Sequence, residues 1–182
     1  MISVLGLGNV LMGDDGLGPV AVRAFEATYE VPEGVDVIDL GTPGLDLVPW
    51  LADVEGVILV DTVKSARPPG TVLVYTKTDL LRSAPGARVG PHDPGVKEAL
   101  HALEFAGRAP ERVTLIGVVP ERTAMSLELT PAVRSAMPVV LDRIAAALEA
   151  FGSPARRRAT PEALPPCWSH RVIAPSPIAG SR

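Results

Sequence analysis

The chain has 182 residues, 47% of them hydrophobic and only 4% aromatic, enough for one domain with a core of Val, Leu, Ile and Ala and too few for two large ones. Its net charge of −4 conceals 12 basic against 20 acidic side chains in residues 1–150, which argues against nucleic acid as a partner and suits a cationic or metal-bearing one. Cys167 has no second cysteine to pair with, and the N-terminal apolar run, broken at Asn9 and Asp14, reads as neither signal peptide nor membrane span, so the expected location is the cytoplasm.

"ISVLGLG" (2–8) is an apolar run ended by glycine, as expected of a strand buried on both faces. Leu17, Val20, Ala21, Ala24 and Phe25 then recur at helical spacing over 15–28, with Pro19 in the tolerated first turn. "VDVIDL" (35–40) is a second strand, "PGLDLVPWLA" (43–52) a short helix, and "GVILVDTV" (56–63) and "TVLVY" (71–75) two further strands. Residues 78–91 read as a loop long enough to serve as a lid or recognition segment. A helix follows over 92–107, with Asp93 as N-cap, Pro94 at the first position and Gly107 as its stop. "RVTLIGVV" (112–119) is the fifth strand, and a closing helix over 129–151 starts at Thr130-Pro131 and meets a kink at Pro138. Strands alternating with helices predict a three-layer α/β/α sandwich around a mainly parallel five-stranded sheet. The domain is expected to occupy 1–151, and the Arg- and Pro-rich segment 152–182 to be a disordered tail.

Chemistry in such folds collects at the carboxyl ends of strands. Three ionisable residues fall there: Asp15 after the first strand, Asp61 closing "VILVD", and His92 before the helix that follows the fourth strand. Two carboxylates and an imidazole form a donor set suited to a divalent transition metal, with coordination positions left open for a working site. Each residue also has a plainer role. Asp14 or Asp15 can cap the first helix, Asp61 can satisfy turn amides, and His92 can be a surface loop residue. His101 shares a polar stripe with Lys97 and Glu104, Glu121 follows the fifth strand as a capping or outer residue, and Cys167 with His170 has metal-ligand spacing but no second pair. No Gly-x-Ser-x-Gly elbow is present, which disfavours covalent serine hydrolysis.

Two other function classes remain. A dinucleotide-binding module would use Gly6, Gly8 and Asp39, but Leu11 stands where its third glycine belongs and Asp14 and Asp15 would face the pyrophosphate. A non-catalytic metal-binding accessory protein would hold its ion tightly by itself.

With "GLGNVLMGDDGLGP", "DLGTPGLDL", "ILVDTV", "GPHDPGVKEAL" and "LIGVVPE" in the family's order and spacing over residues 2–150, the sequence resembles the hydrogenase maturation endopeptidases. The resemblance implies a phosphorylase/hydrolase-like α/β/α fold and a peptidase that trims the C-terminal extension of the nickel-iron hydrogenase large-subunit precursor. It further implies that nickel, supplied by the substrate, meets Asp15, Asp61 and His92 as metal ligands and catalytic groups, and that Gly41 and Gly44 belong to a substrate-recognition loop. A metallo-type and an aspartic-type mechanism both stay open. No oligomerisation signal stands out, so a monomer is expected.

Overall fold

The computed structural model describes residues 1–43, 47–82 and 93–162. In chain order its strands are β1 (Ile2–Leu7), β2 (Tyr29–Glu30), β3 (Val35–Gly41), β4 (Gly56–Thr62), β5 (Val72–Thr76), β6 (Arg112–Val118) and β7 (Arg156–Arg157). Its helices are α1 (Leu17–Thr28), α2 (Val48–Leu51), α3 (Lys77–Arg82), α4 (Asp93–Phe105) and α5 (Pro131–Ala150). Five strands form one sheet in the order β3-β1-β4-β6-β5. The first four of these run parallel, and β5 lies antiparallel along β6.

The apolar runs are continuous because the central strands bury both faces. Along β4, Ile58 and Val60 join a core with α1 and α5, while Val57 and Leu59 join a second core with α2, α3 and α4. All four side chains are fully buried. The expected three-layer α/β/α sandwich is thus the architecture found.

Local departures from the sequence reading have physical causes. Residues 78–82 of the expected loop are helical, as part of α3, which is started by a reciprocal cap. The Thr76 amide and hydroxyl donate to Asp79 Oδ2 at 2.8 and 2.7 Å, and the Asp79 amide donates back to Thr76 Oγ1 at 3.3 Å. Residues 83–91 of that segment lie outside the described residues. Of the helix expected over 43–52, residues 44–46 lie outside the described residues and α2 covers Val48–Leu51, with Pro49 in the first turn where no amide is needed. A short 3-10 turn, Gly13–Gly16, precedes α1. The chain continues helically through Pro138.

The disorder expected from residue 152 does not apply to residues 152–162. There β7 pairs antiparallel with β2, the Arg158 amide donates to the Thr28 carbonyl at 2.8 Å, and the Glu162 amide donates to the Ala27 carbonyl at 2.8 Å. Arg157 also lies over the Tyr29 ring, 6.0 Å from its centroid. The rest of the expected tail lies outside the described residues.

What places the working edge of the sheet is the approach of α1 to the ends of β1 and β4. A methyl group on Gly18 would collide with the carbonyl oxygens of Leu7 and Val60, and one on Gly6 would stand 2.6 Å from the Gly18 carbonyl carbon. Gly8, at φ +129°, allows the chain to turn back against the Asp15 carbonyl. In an open helix, Gly→Ala stabilises by about 1 kcal/mol. Here Gly18→Ala should instead destabilise by about 3 kcal/mol, because backbone atoms cannot rotate away. Gly34→Ala, at φ +78° with open space around it, should cost about 1 kcal/mol. Urea unfolding of the two variants checks the difference, and equal midpoints would contradict the packing argument.

Candidate active site

Asp61 lies in β4 at the carboxyl edge of the sheet, and Asp15 lies in the 3-10 turn that follows the neighbouring strand β1. β1 and β4 are paired up to Gly6 opposite Val60, so the chain leaves β1 beside Asp61. From there it passes Gly8, loops through residues 9–12 and enters the 3-10 turn that carries Asp15 and packs on β4. Asp15 is 6% exposed and Asp61 4%. Each is oriented by a backbone amide: Asn9 donates to Asp15 Oδ2 at 3.0 Å, and Thr62 donates to Asp61 Oδ1 at 2.6 Å. Two carboxylates held this way can receive a cation or accept a proton from water.

Gly41 closes β3 at φ +61°, donates its amide to Asp39 Oδ1 at 3.2 Å, and accepts the Gly8 amide at 2.8 Å. The predicted recognition loop is therefore tied to the turn that leads to Asp15. Gly44 and His92 lie outside the described residues. α4, which begins one residue after His92, ends near the amino edge of the sheet, where Arg108 accepts the amide of Asp53 at 3.1 Å. Its first residue stands about 20 Å away along the 13-residue helix.

Neither Asp14 nor Asp15 caps a helix through its side chain. Asp14, fully buried, instead fastens the segment that follows β6. Its Oδ2 accepts the amides of Glu121 and Arg122 at 2.8 and 2.9 Å and the Thr130 hydroxyl at 3.0 Å, while its Oδ1 accepts the Thr130 amide at 2.7 Å. Four donors match the acceptor capacity of one carboxylate. Sequence reasoning offered Asp14 only as a possible helix cap and missed its fastening role, because its partners lie more than a hundred positions away. The one available hint was Thr130-Pro131, a helix start that needed a neighbour.

The alternatives fare less well. Asp39 engages its own turn through Gly41. The Asn9 amide, which a nucleotide loop would offer to phosphate, is taken by the Asp15 carboxylate. His101 is exposed on α4, Glu121 is exposed and contributes its backbone to Asp14, and Cys167 and His170 lie outside the described residues. Among the described residues, no three His, Cys, Asp or Glu side chains gather as a self-sufficient metal site.

A family model for hydrogenase maturation proteases matches residues 19–147. The hydrogenase expression/formation protein HupD of Rhizobium leguminosarum bv. viciae is 34% identical over 94% of this chain and 85% of its own. The hydrogenase 2 maturation protease of Escherichia coli K12 is also 34% identical, over 83% of this chain and 92% of its own. The solved E. coli hydrogenase maturating endopeptidase HybD superposes with a TM-score of 0.79 at 33% identity, covering 87% of this chain and 98% of that one.

Removing the Asp14 carboxylate strands four donors, so Asp14→Ala should destabilise the fold by about 3 kcal/mol or more. Asp15→Asn keeps an oxygen for the Asn9 amide and should change stability by less than about 1 kcal/mol. Chemical denaturation of the two variants measures the contrast; an unaffected Asp14→Ala protein would refute the fastening role.

Proposed function

The chain belongs to the hydrogenase maturation protease family, and on that footing we propose that it is the endopeptidase that removes the C-terminal extension of a nickel-iron hydrogenase large-subunit precursor. The observation that carries this reading is a glycine-rich strand-to-helix turn furnished with acid. It places Asp15 beside β4, whose last two residues are Asp61 and Thr62, at an edge where a nucleotide fold would receive an anion. Such an edge attracts a cation. In this proposal the cation is nickel already seated in the precursor, and it reaches the enzyme as part of the substrate.

Asp15, Asp61 and His92 then complete the coordination that the precursor begins. The donor types fit: two carboxylate oxygens and an imidazole nitrogen accept nickel readily. A coordinated metal polarises the scissile carbonyl or acidifies a water. The protein's own contribution is a carboxylate positioned to take the proton of the attacking water as its oxygen adds to the carbonyl carbon. Collapse of the adduct breaks the C–N bond, and the proton passes to the departing amine. The enzyme acts as a cytoplasmic monomer in this scheme, and metal loading is checked before an irreversible cut.

The test offers purified enzyme nickel-loaded and nickel-free precursor and weighs the products. Loss of a short C-terminal peptide from the loaded form alone is expected, and equal cleavage of both forms would remove the checkpoint. Asp15→Asn, Asp61→Asn and His92→Gln should each slow processing by about a hundredfold or more. A full-rate Asp61→Asn enzyme would overturn the site assignment.

A further inference from the structure

The segment fastened by Asp14 carries a surface that catalysis does not use. Residue 12 forms a parallel bridge with residue 126: the Ser126 amide donates to the Leu11 carbonyl at 3.0 Å, and the Gly13 amide donates to the Ser126 carbonyl at 2.8 Å. The bridge is an isolated one, and large apolar side chains on both of its arms stand open to solvent. Leu11, Met125 and Leu127 are 56%, 89% and 62% exposed, while Met12 and Ser126 are partly covered.

Three large apolar side chains thus face solvent from a backbone that is pinned, through the bridge and through the fully buried Asp14. Rigid display of apolar surface favours binding, because less ordering entropy is lost on contact. Three side chains fall well short of the roughly 800 Å² per partner of a stand-alone interface. They suit an auxiliary anchor beside a site that makes its own contacts. The bridge ends at Gly13, two positions before Asp15, so this apolar face lies beside the candidate site.

We propose that Leu11, Met125 and Leu127 form a docking surface for an apolar stretch of the precursor polypeptide near its scissile segment, a claim that rests on the function proposed above. Docking there adds affinity for the whole protein substrate without contributing to bond cleavage.

The double variant Met125→Ser/Leu127→Ser replaces side chains outside both cores, so it should unfold at the wild-type urea concentration. Its KM for nickel-loaded precursor should rise about tenfold or more, with kcat within a factor of two. In parallel, methyl NMR of the Asp61→Asn protein should show Met125 and Leu127 signals moving on addition of the same precursor. If wild-type enzyme cleaves precursor, the double variant does so with unchanged KM, and the Met125 and Leu127 methyl signals of the Asp61→Asn protein do not move, the docking surface is refuted while the function stands. If wild-type enzyme leaves the precursor whole, the function itself fails. A wild-type dimer in sedimentation that the double variant dissolves would assign the face to a second copy of the chain and overturn the proposal.

Discussion

The site depends on one contact: the backbone of α1 lying against the carbonyls that end β1 and β4, with no side chain between them. Only glycine at residue 18 permits it, and Gly8 permits the return that brings the Asp15 backbone against β1's exit. A helix packed on a sheet through side chains stands farther off, and at that spacing a carboxylate on its first turn would be carried off the strand ends. The glycines therefore set a distance. That explains why the motif looks like a nucleotide loop without being one. In a nucleotide fold, glycine makes room for pyrophosphate, whereas here the chain itself fills the room.

Two adjacent acids acquire opposite roles from this geometry. Asp14 turns inward, where four donors satisfy it and join the first loop to the start of α5. Drafting it as a metal ligand would cost those bonds. Asp15 stays at the sheet edge and closes the turn that carries it. The fastened carboxylate gives the neighbouring one a stiff support, which a site that must meet a ligand geometry needs. Gly41 adds a second tether from β3 through the Gly8 amide, so three strand ends converge on one loop.

Most of the sheet was legible because strands buried on both faces show as unbroken apolar runs, β4 most plainly. The direction of β5 was not: "TVLVY" reports a strand but carries no mark of orientation, which is set by how the chain returns. The cap that starts α3 was legible in Thr76 and Asp79, yet a stretch rich in Ser, Gly and Pro outweighed it. The attachment of 152–162 left no compositional trace, since it is made largely by backbone groups meeting Ala27 and Thr28. Strand-end logic picked out Asp15 and Asp61 as candidates, and the structure sets both at the carboxyl edge of β1 and β4. It could not foresee what Asp14 does, because local sequence does not show which acid meets partners a hundred residues away.

The proposed mechanism also explains why the site should be incomplete without its client. An enzyme that held nickel tightly by itself would bring the same Lewis acid to every precursor and could not tell a loaded one from an empty one. Discrimination requires that the metal's affinity be divided, with the precursor holding enough to retain the ion and the enzyme adding enough to engage it at the cut. Two carboxylates and one imidazole drawn from three separate segments are a weak set for a resident metal and a sufficient one for sharing. Apolar docking away from the metal fits the same logic. It supplies affinity that does not depend on the ion, so loaded and empty precursors are both sampled, while the cut is reserved for the substrate that brings the missing charge.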